Sequence, residues 1–374
     1  DSSGAEVGEE FLLHVNTNQN QINPLVTALD NGRFVATWQS NETNQYNVYS
    51  RIFDANNSPE SSEFIVNTFS TDSQLYADVT KLKNGDFVTT WVSTPGQDGS
   101  SYGIFGQRYN SSGIKIGDEF QVNTFTTGEQ NGPSITALED GGFIVTWHSN
   151  LQDGDRNGIF GQQYNSLGVK IGSEFQVNKH INDHQMYSTA VGTSDGGFLV
   201  AWHSYTPHEE YGEVYGQRFD KDREKVGGEF QINSYATYDQ QNVSLTALAN
   251  GNIVATYTSL GADGPDGSGV SAQILNVGST EFKGLFPIDL KTSTGSSSAV
   301  LTIDTALNKL NEIRASLGAL SNNLDNIMAV NVNTSINLKR AKGLITDANY
   351  VQETADLAKN NILQQTSIQM DVLS

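Results

Sequence analysis

The sequence predicts a mainly β chain with an α-helical C-terminal part: a five-bladed β-propeller of ~55-residue four-stranded repeats, followed by long helices. Three observations predict it. An Asn-Gly or Asp-Gly turn recurs at Asn31-Gly32, Asn84-Gly85, Asp140-Gly141, Asp195-Gly196 and Asn250-Gly251, at spacings of 53, 56, 55 and 55. An aromatic stands seven residues after the start of each turn: Trp38, Trp91, Trp147, Trp202 and Tyr257, a column that holds all four tryptophans. The last quarter changes period, with apolar residues at steps of three and four.

Each repeat divides into four strands. In the third, Ser134–Leu138 is a strand, and Asp140-Gly141 makes a tight hairpin whose central positions both need φ > 0. Phe143–His148 follows, rich in β-branched residues. After a loop, Gly158–Tyr164 is the third strand, Ser166–Gly168 a turn and Glu174–Asn178 the fourth. Two further markers repeat. One is Gly103-Ile104-Phe105-Gly106-Gln107-Arg108-Tyr109, echoed at 158–164 and 212–219. The other is Glu119-Phe120-Gln121-Val122-Asn123, echoed at Phe64, Phe175 and Phe230, with a distorted copy near Phe11. That copy, Phe11–Asn16, is the expected closing strand, paired with Val270–Leu275; the rival is Glu281-Phe282 with Leu285. The aromatic column is read as blade core, because large aromatics supply buried area.

The propeller is assigned to residues 1–286 and a Ser/Thr/Gly linker to 287–300, centred on Lys291–Ser298. Residues 301–346 form a coiled-coil-like helix, and 347–374 begin a terminal helix. Ile303, Ala306, Leu310, Ile313, Leu317, Leu320, Leu324 and Ile327 make an unbroken heptad seam with a polar back. Such a seam needs partner helices, and the rest of the chain reads as strands.

The same residues carry a resemblance. The runs Leu301–Leu320, Ile336–Tyr350 and Glu353–Ser374 resemble the C-terminal region of bacterial flagellins, most of all at Ile362-Leu363-Gln364-Gln365. Asn323, Gly343 and Asn349 depart from the family pattern. The resemblance implies a subunit of an extracellular flagellar filament that self-assembles as a homo-oligomer, with the propeller as its variable outer domain. It implies an assembly role for the seam residues and for Ile362 and Leu363. It also implies N-terminal flagellin-type helices that this chain does not contain, as in a fragment or partly covered subunit. The propeller is expected to meet a sheath, a glycan or a cell surface. The alternatives are a secreted adhesin or sheath component with flagellin-like helices, or a propeller hydrolase displayed on a filament.

Composition narrows the partners. With 42 acidic and 21 basic residues the formal charge is −21, which disfavours nucleic acid and anionic membranes. No cysteine is present, so disulfides and thiolate metal sites are excluded. No apolar run is long enough to insert in a membrane. Catalysis is not expected: there is no nucleophile elbow and no phosphate-cradling loop. No cofactor is expected either. The weak exception is calcium at acidic-glycine loops, with Asp98, Asp153, Asp155, Asp263 and Asp266 as candidate ligands. The histidines, among them His148 and His203 beside the column and the pair His180 and His184, show no converging zinc set.

Overall fold

The structure, a computed structural model, describes residues 8–17, 19–42, 44–205, 211–234, 238–260, 267–276, 350 and 352–367. It comprises five antiparallel sheets in chain order and one C-terminal helix, residues 352–367. By its contacts the chain divides into Asp1–Phe286 and Pro287–Ser374. The seam from Ile303 to Ile327, and the whole 301–346 helix, lie outside the described residues.

Blade 1 contains β1 (Gln21–Ala28), β2 (Phe34–Ser40), β3 (Asn47–Phe53) and the short β4 (Phe64–Ile65). Blade 2 contains β5 (Gln74–Lys81), β6 (Phe87–Ser93), β7 (Gly103–Tyr109) and β8 (Lys115–Gln121). Blade 3 contains β9 (Gln130–Ala137), β10 (Phe143–Asn150), β11 (Asn157–Tyr164) and β12 (Lys170–Gln176). Blade 4 contains β13 (Gln185–Gly192), β14 (Phe198–Ser204), β15 (Glu213–Phe219) and β16 (Lys225–Gln231). Blade 5 has three described strands: β17 (Gln240–Ala247), β18 (Ile253–Leu260) and β19 (Ser268–Leu275).

The turns differ from the expected type. Only in blade 1 are both residues left-handed, Asn31 at φ 61° and Gly32 at φ 75°. In the others the glycine alone is left-handed. In blade 3 the Gly141 N–H donates to Leu138 O at 3.0 Å, and Leu138 N–H donates to Gly142 O at 2.9 Å. That is a type I turn closed by a glycine bulge, the three-residue solution to the same reversal. The fourth strand is also displaced: in blade 3 it runs from Lys170 to Gln176. It starts early because a bulge at left-handed Gly172 lets the chain pair with β11 on both sides of a register shift.

The markers acquire physical reasons. A Cβ on Gly106 would lie 2.7 Å from the Phe120 ring, and one on Gly161 would lie 3.0 Å from Phe175. The glycine of the third strand is therefore the floor on which the Glu-Phe phenylalanine of the fourth strand lies. The asparagine after that phenylalanine ties the blade together: Asn67, Asn123, Asn178 and Asn233 each accept, through Oδ1, the backbone N–H of the third-strand residue Val48, Ile104, Ile159 or Val214, at 2.8–2.9 Å.

Burial is concentrated between blades. Four apolar clusters join blade 1 to 2, 2 to 3, 3 to 4 and 4 to 5. Trp91, Trp147, Trp202 and Tyr257 each belong to the cluster that meets the preceding blade. Trp38 belongs to a smaller cluster with Tyr49 and Phe53, against which Leu13 packs.

Ring closure departs from expectation. Phe11–Asn16 forms no strand, and β19 pairs only with β18 among the described residues. Phe11 instead lies 5.6 Å from the Phe53 ring. Phe64 stands in the same relation to Tyr109 at 5.2 Å, and Phe120 to Tyr164 at 5.5 Å. Phe11 thus fills the slot of a preceding blade's fourth-strand phenylalanine, but ring packing rather than a strand ladder holds it there. Arg51 Nη1 donates to Leu13 O at 3.2 Å and fixes the same segment. No apolar cluster joins blade 5 to blade 1 among the described residues, and the end faces show it. Val48, Ile104, Ile159 and Val214 are fully buried, whereas their counterpart Val270 is 84% exposed. Val79, Ile135 and Ala190 are buried, whereas their counterpart Val26 is 67% exposed.

Candidate functional site

Two surfaces stand out as candidates: the helix of residues 352–367 and the channel edged by the first strands of the blades.

The described residues of the helix are all exposed. Leu357, Ile362 and Leu363, together with Tyr350 just before it, are large apolar side chains open to solvent. A helix of this length gains little from propensity alone and is stabilised mainly by packing an apolar face. Ile362 and Leu363 therefore stand uncovered among the described residues.

The channel is built from a repeated irregularity. Each first strand bulges against its neighbour. Its third residue is left-handed in every blade: Asn23 (φ 52°), Tyr76 (φ 50°), Gly132 (φ 63°), Tyr187 (φ 55°) and Asn242 (φ 56°). Asparagine and glycine accept this conformation readily; tyrosine does not. A cavity of about 540 Å³ lies along these strands, bordered by Tyr76, Asp78, Pro133, Ser134, Ser188 and Thr189. Asp78 Oδ2 accepts the N–H of Ile135 in the next blade at 2.9 Å, and Oδ1 accepts that of Val79 at 2.8 Å. Burial outweighs these donors and pushes its carboxyl up to about 6.

The histidines are spread over separate contacts. His148 is buried with its ring against Gly132 and edge-on to Tyr187, centroids 5.6 Å apart. Burial, and then the charge of nearby His184, pulls it down to about 4. His203 is buried beside Tyr205 and is also lowered, chiefly by burial. His180 Nδ1 meets Glu229 at 2.9 Å, and His184 Nδ1 meets Asn157 at 3.1 Å. Among the described residues no three histidine or acidic side chains converge as a metal would need.

The described calcium candidates are engaged in local hydrogen bonds. Asp98 Oδ1 accepts Ser100 N–H at 2.9 Å. Asp153 Oδ2 accepts from Gln176 Nε2 at 3.3 Å, and burial raises its pKa. Asp155 Oδ2 accepts Asp183 N–H at 2.9 Å, a bond that lowers its pKa. Asp98 and Asp153 hold equivalent places in different blades and are not brought together. Asp263 and Asp266 lie outside the described residues.

Two features went unread in the sequence. Every first strand begins with glutamine, at Gln21, Gln74, Gln130, Gln185 and Gln240, a fifth repeating marker. The glutamate of the Glu-Phe motif staples neighbouring blades: Glu119 Oε2 accepts from Thr68 N–H and Oγ1, and Glu174 Oε2 from Thr124 N–H and Oγ1, at 2.6–3.0 Å.

The class this architecture defines is a five-bladed β-propeller. Among solved structures, that of a protein of unknown function from Dyadobacter fermentans covers 71% of this chain and 81% of its own at a TM-score of 0.52 and 10% identity, a likeness of fold alone. The helical end is more specific. Residues 300–372 match the bacterial flagellin C-terminal helical region. The chain is 31% identical over 203 residues to B-type flagellin of Pseudomonas aeruginosa, covering 54% of this chain and 39% of that protein. It is 31% identical over 158 residues to polar flagellin A of Vibrio parahaemolyticus, covering 38% of this chain and 42% of that protein. The chain spans about two fifths of the length of these curated relatives. It therefore carries a flagellin-type C-terminal region behind a five-bladed propeller.

Proposed function

We propose that the chain is a subunit of a bacterial flagellar filament, outside the cell, that assembles with copies of itself through its helical end and displays the propeller on the filament surface. The flagellin match over residues 300–372 carries this reading. The apolar side chains of Ile362 and Leu363 support it, because no described residue covers them and an apolar helix face is stabilised by a partner. The heptad residues Ile303, Ala306, Leu310, Ile313, Leu317, Leu320, Leu324 and Ile327 extend the same assembly surface. The role is structural rather than catalytic, and the propeller acts as an interaction module toward a sheath, a glycan or a cell surface.

Negative-stain electron microscopy of the full-length gene product under polymerising conditions tests this. Tubes with regular external knobs support it. Persistent single particles overturn it in favour of a secreted adhesin whose helices serve export. Deleting the propeller should leave filaments intact and abolish surface binding. Turnover of glycoside or ester substrates by the purified chain would instead favour a displayed hydrolase.

A further inference from the structure

The left-handed position of the first strand is occupied cheaply in three blades, by Asn23, Gly132 and Asn242. In blades 2 and 4 it holds tyrosine, whose bulk makes this conformation a true outlier. Core burial does not explain the choice, although Tyr187 meets the His148 ring edge-on. Tyr76 is 52% exposed and Tyr187 is 55% exposed, so neither ring is recovered as core. A strained backbone that presents an aromatic to solvent twice, at one position of a repeat, points to what the ring meets outside the chain.

The surroundings of Tyr76 define that ligand. The cavity it borders, about 540 Å³, is of the size that holds a small molecule. Pro24, Leu25 and Pro133 give an apolar wall, and Ser134 and Thr189 give short hydroxyls, while the buried Ser188 Oγ donates to Thr146 Oγ1 at 3.1 Å. Among the described residues no lysine or arginine borders the cavity, so none of them compensates an anion there. Asp78, which borders the cavity, accepts two backbone N–H bonds and one bond from the Ser134 side chain, leaving one of its four acceptor positions for a ligand. Its carboxyl, pushed up to about 6, also carries a proton to donate in mildly acidic medium. A flat aromatic, an apolar wall and uncharged polar side chains suit a neutral ligand with one apolar face and hydroxyls on its edge.

We infer that the channel of the propeller binds a neutral saccharide, with Tyr76 as the stacking platform and Asp78 as the hydroxyl-anchoring group. This site stands on the channel geometry and not on polymerisation, so its failure and that of the filament reading are separable.

The test is calorimetric titration of the purified chain with cellotetraose, xylotetraose and mannotetraose, alongside thermal melting. Tyr76→Asn installs the residue that blades 1 and 5 carry at this position. It should raise the melting temperature by about 2–4 °C as the strain is relieved, and weaken binding about tenfold or more as the platform is lost. Tyr76→Phe should keep the affinity within about threefold, because the ring face and not the hydroxyl does the stacking. The inference is overturned if none of the three probes binds, if Tyr76→Asn binds as the parent does, or if Tyr76→Asn melts lower, which would make Tyr76 a folding residue.

Discussion

The carboxylate of Glu229 in blade 4 accepts the backbone N–H of Lys179, just past the last strand of blade 3, at 2.6 Å. The same carboxylate meets His180 Nδ1 at 2.9 Å, and its side chain is only 2% exposed. Glu174 makes the corresponding contact to Thr124 from a partly exposed position. Truncating a carboxylate that is itself buried and hydrogen-bonded costs more than truncating one that water already reaches. Glu229→Ala should therefore lower stability by about 3 kcal/mol, and Glu174→Ala by about 1 kcal/mol. Urea unfolding of the two variants measures the difference; equal losses would refute a burial-dependent staple.

The buried His148 makes stability depend on pH. Its folded pKa is pushed down to about 4 from 6.5. Below about pH 6.5 the unfolded chain takes up a proton that the folded chain refuses until about pH 4. The folded state thus loses stability as pH falls through that window, by up to about 3 kcal/mol at its lower end. Asp78 acts with opposite sign: raised to about 6, it binds a proton in the folded state that the unfolded chain has released. The wild-type curve mixes the two, so the quantity to measure is the difference between wild type and His148→Gln in urea at pH 7 and pH 4.5. The wild type should lose more on acidification; a constant difference would mean that His148 titrates normally.

The ends of the blade array give a paired prediction. Ile104 and Val270 hold equivalent places on the third strands of blades 2 and 5, one fully buried and the other 84% exposed. Ile104→Ala should cost about 3 kcal/mol, the transfer and cavity terms together. Val270→Ala should cost less than about 0.5 kcal/mol, as a surface change does. Thermal melts of both variants at low protein concentration decide this. A large loss at Val270 would mean that the end face is covered in solution.

The blade count and the aromatic column were legible because both rest on recurrence. The turn pairs and the tryptophans repeat at nearly constant spacing, and sequence records spacing directly. The turn type was misread because Asn-Gly and Asp-Gly serve both a primed turn and a type I turn with a glycine bulge, and the strand register decides between them. Phe11 was recognised as a fourth-strand phenylalanine and indeed occupies that slot on Phe53. Its strand was not formed, because ring packing and a ladder of hydrogen bonds are separate demands and the two-residue insertion at Leu12 to His14 breaks the second. The channel was invisible in the sequence. Tyr76 and Tyr187 look like ordinary strand aromatics until φ is known, and Asp78 gains its meaning only from Ile135 in the neighbouring blade.

The helical end gives the last prediction. Ile362 and Leu363 are exposed on a helix belonging to a unit separate from the propeller. Serine at either position should leave the melting of the propeller unchanged, since neither side chain contributes to a blade cluster. Assembly should respond differently. Burying one such side chain against a neighbouring helix contributes about 1.5–3 kcal/mol, so each substitution should raise the critical concentration for polymerisation roughly tenfold to a hundredfold. Sedimentation of the full-length gene product across a concentration series reads this directly. An unchanged critical concentration in both variants would remove these two residues from the assembly surface and leave the role to the heptad seam alone. A raised critical concentration together with an unchanged propeller melt would separate the two halves of the chain by function, the helical end for assembly and the blades for display.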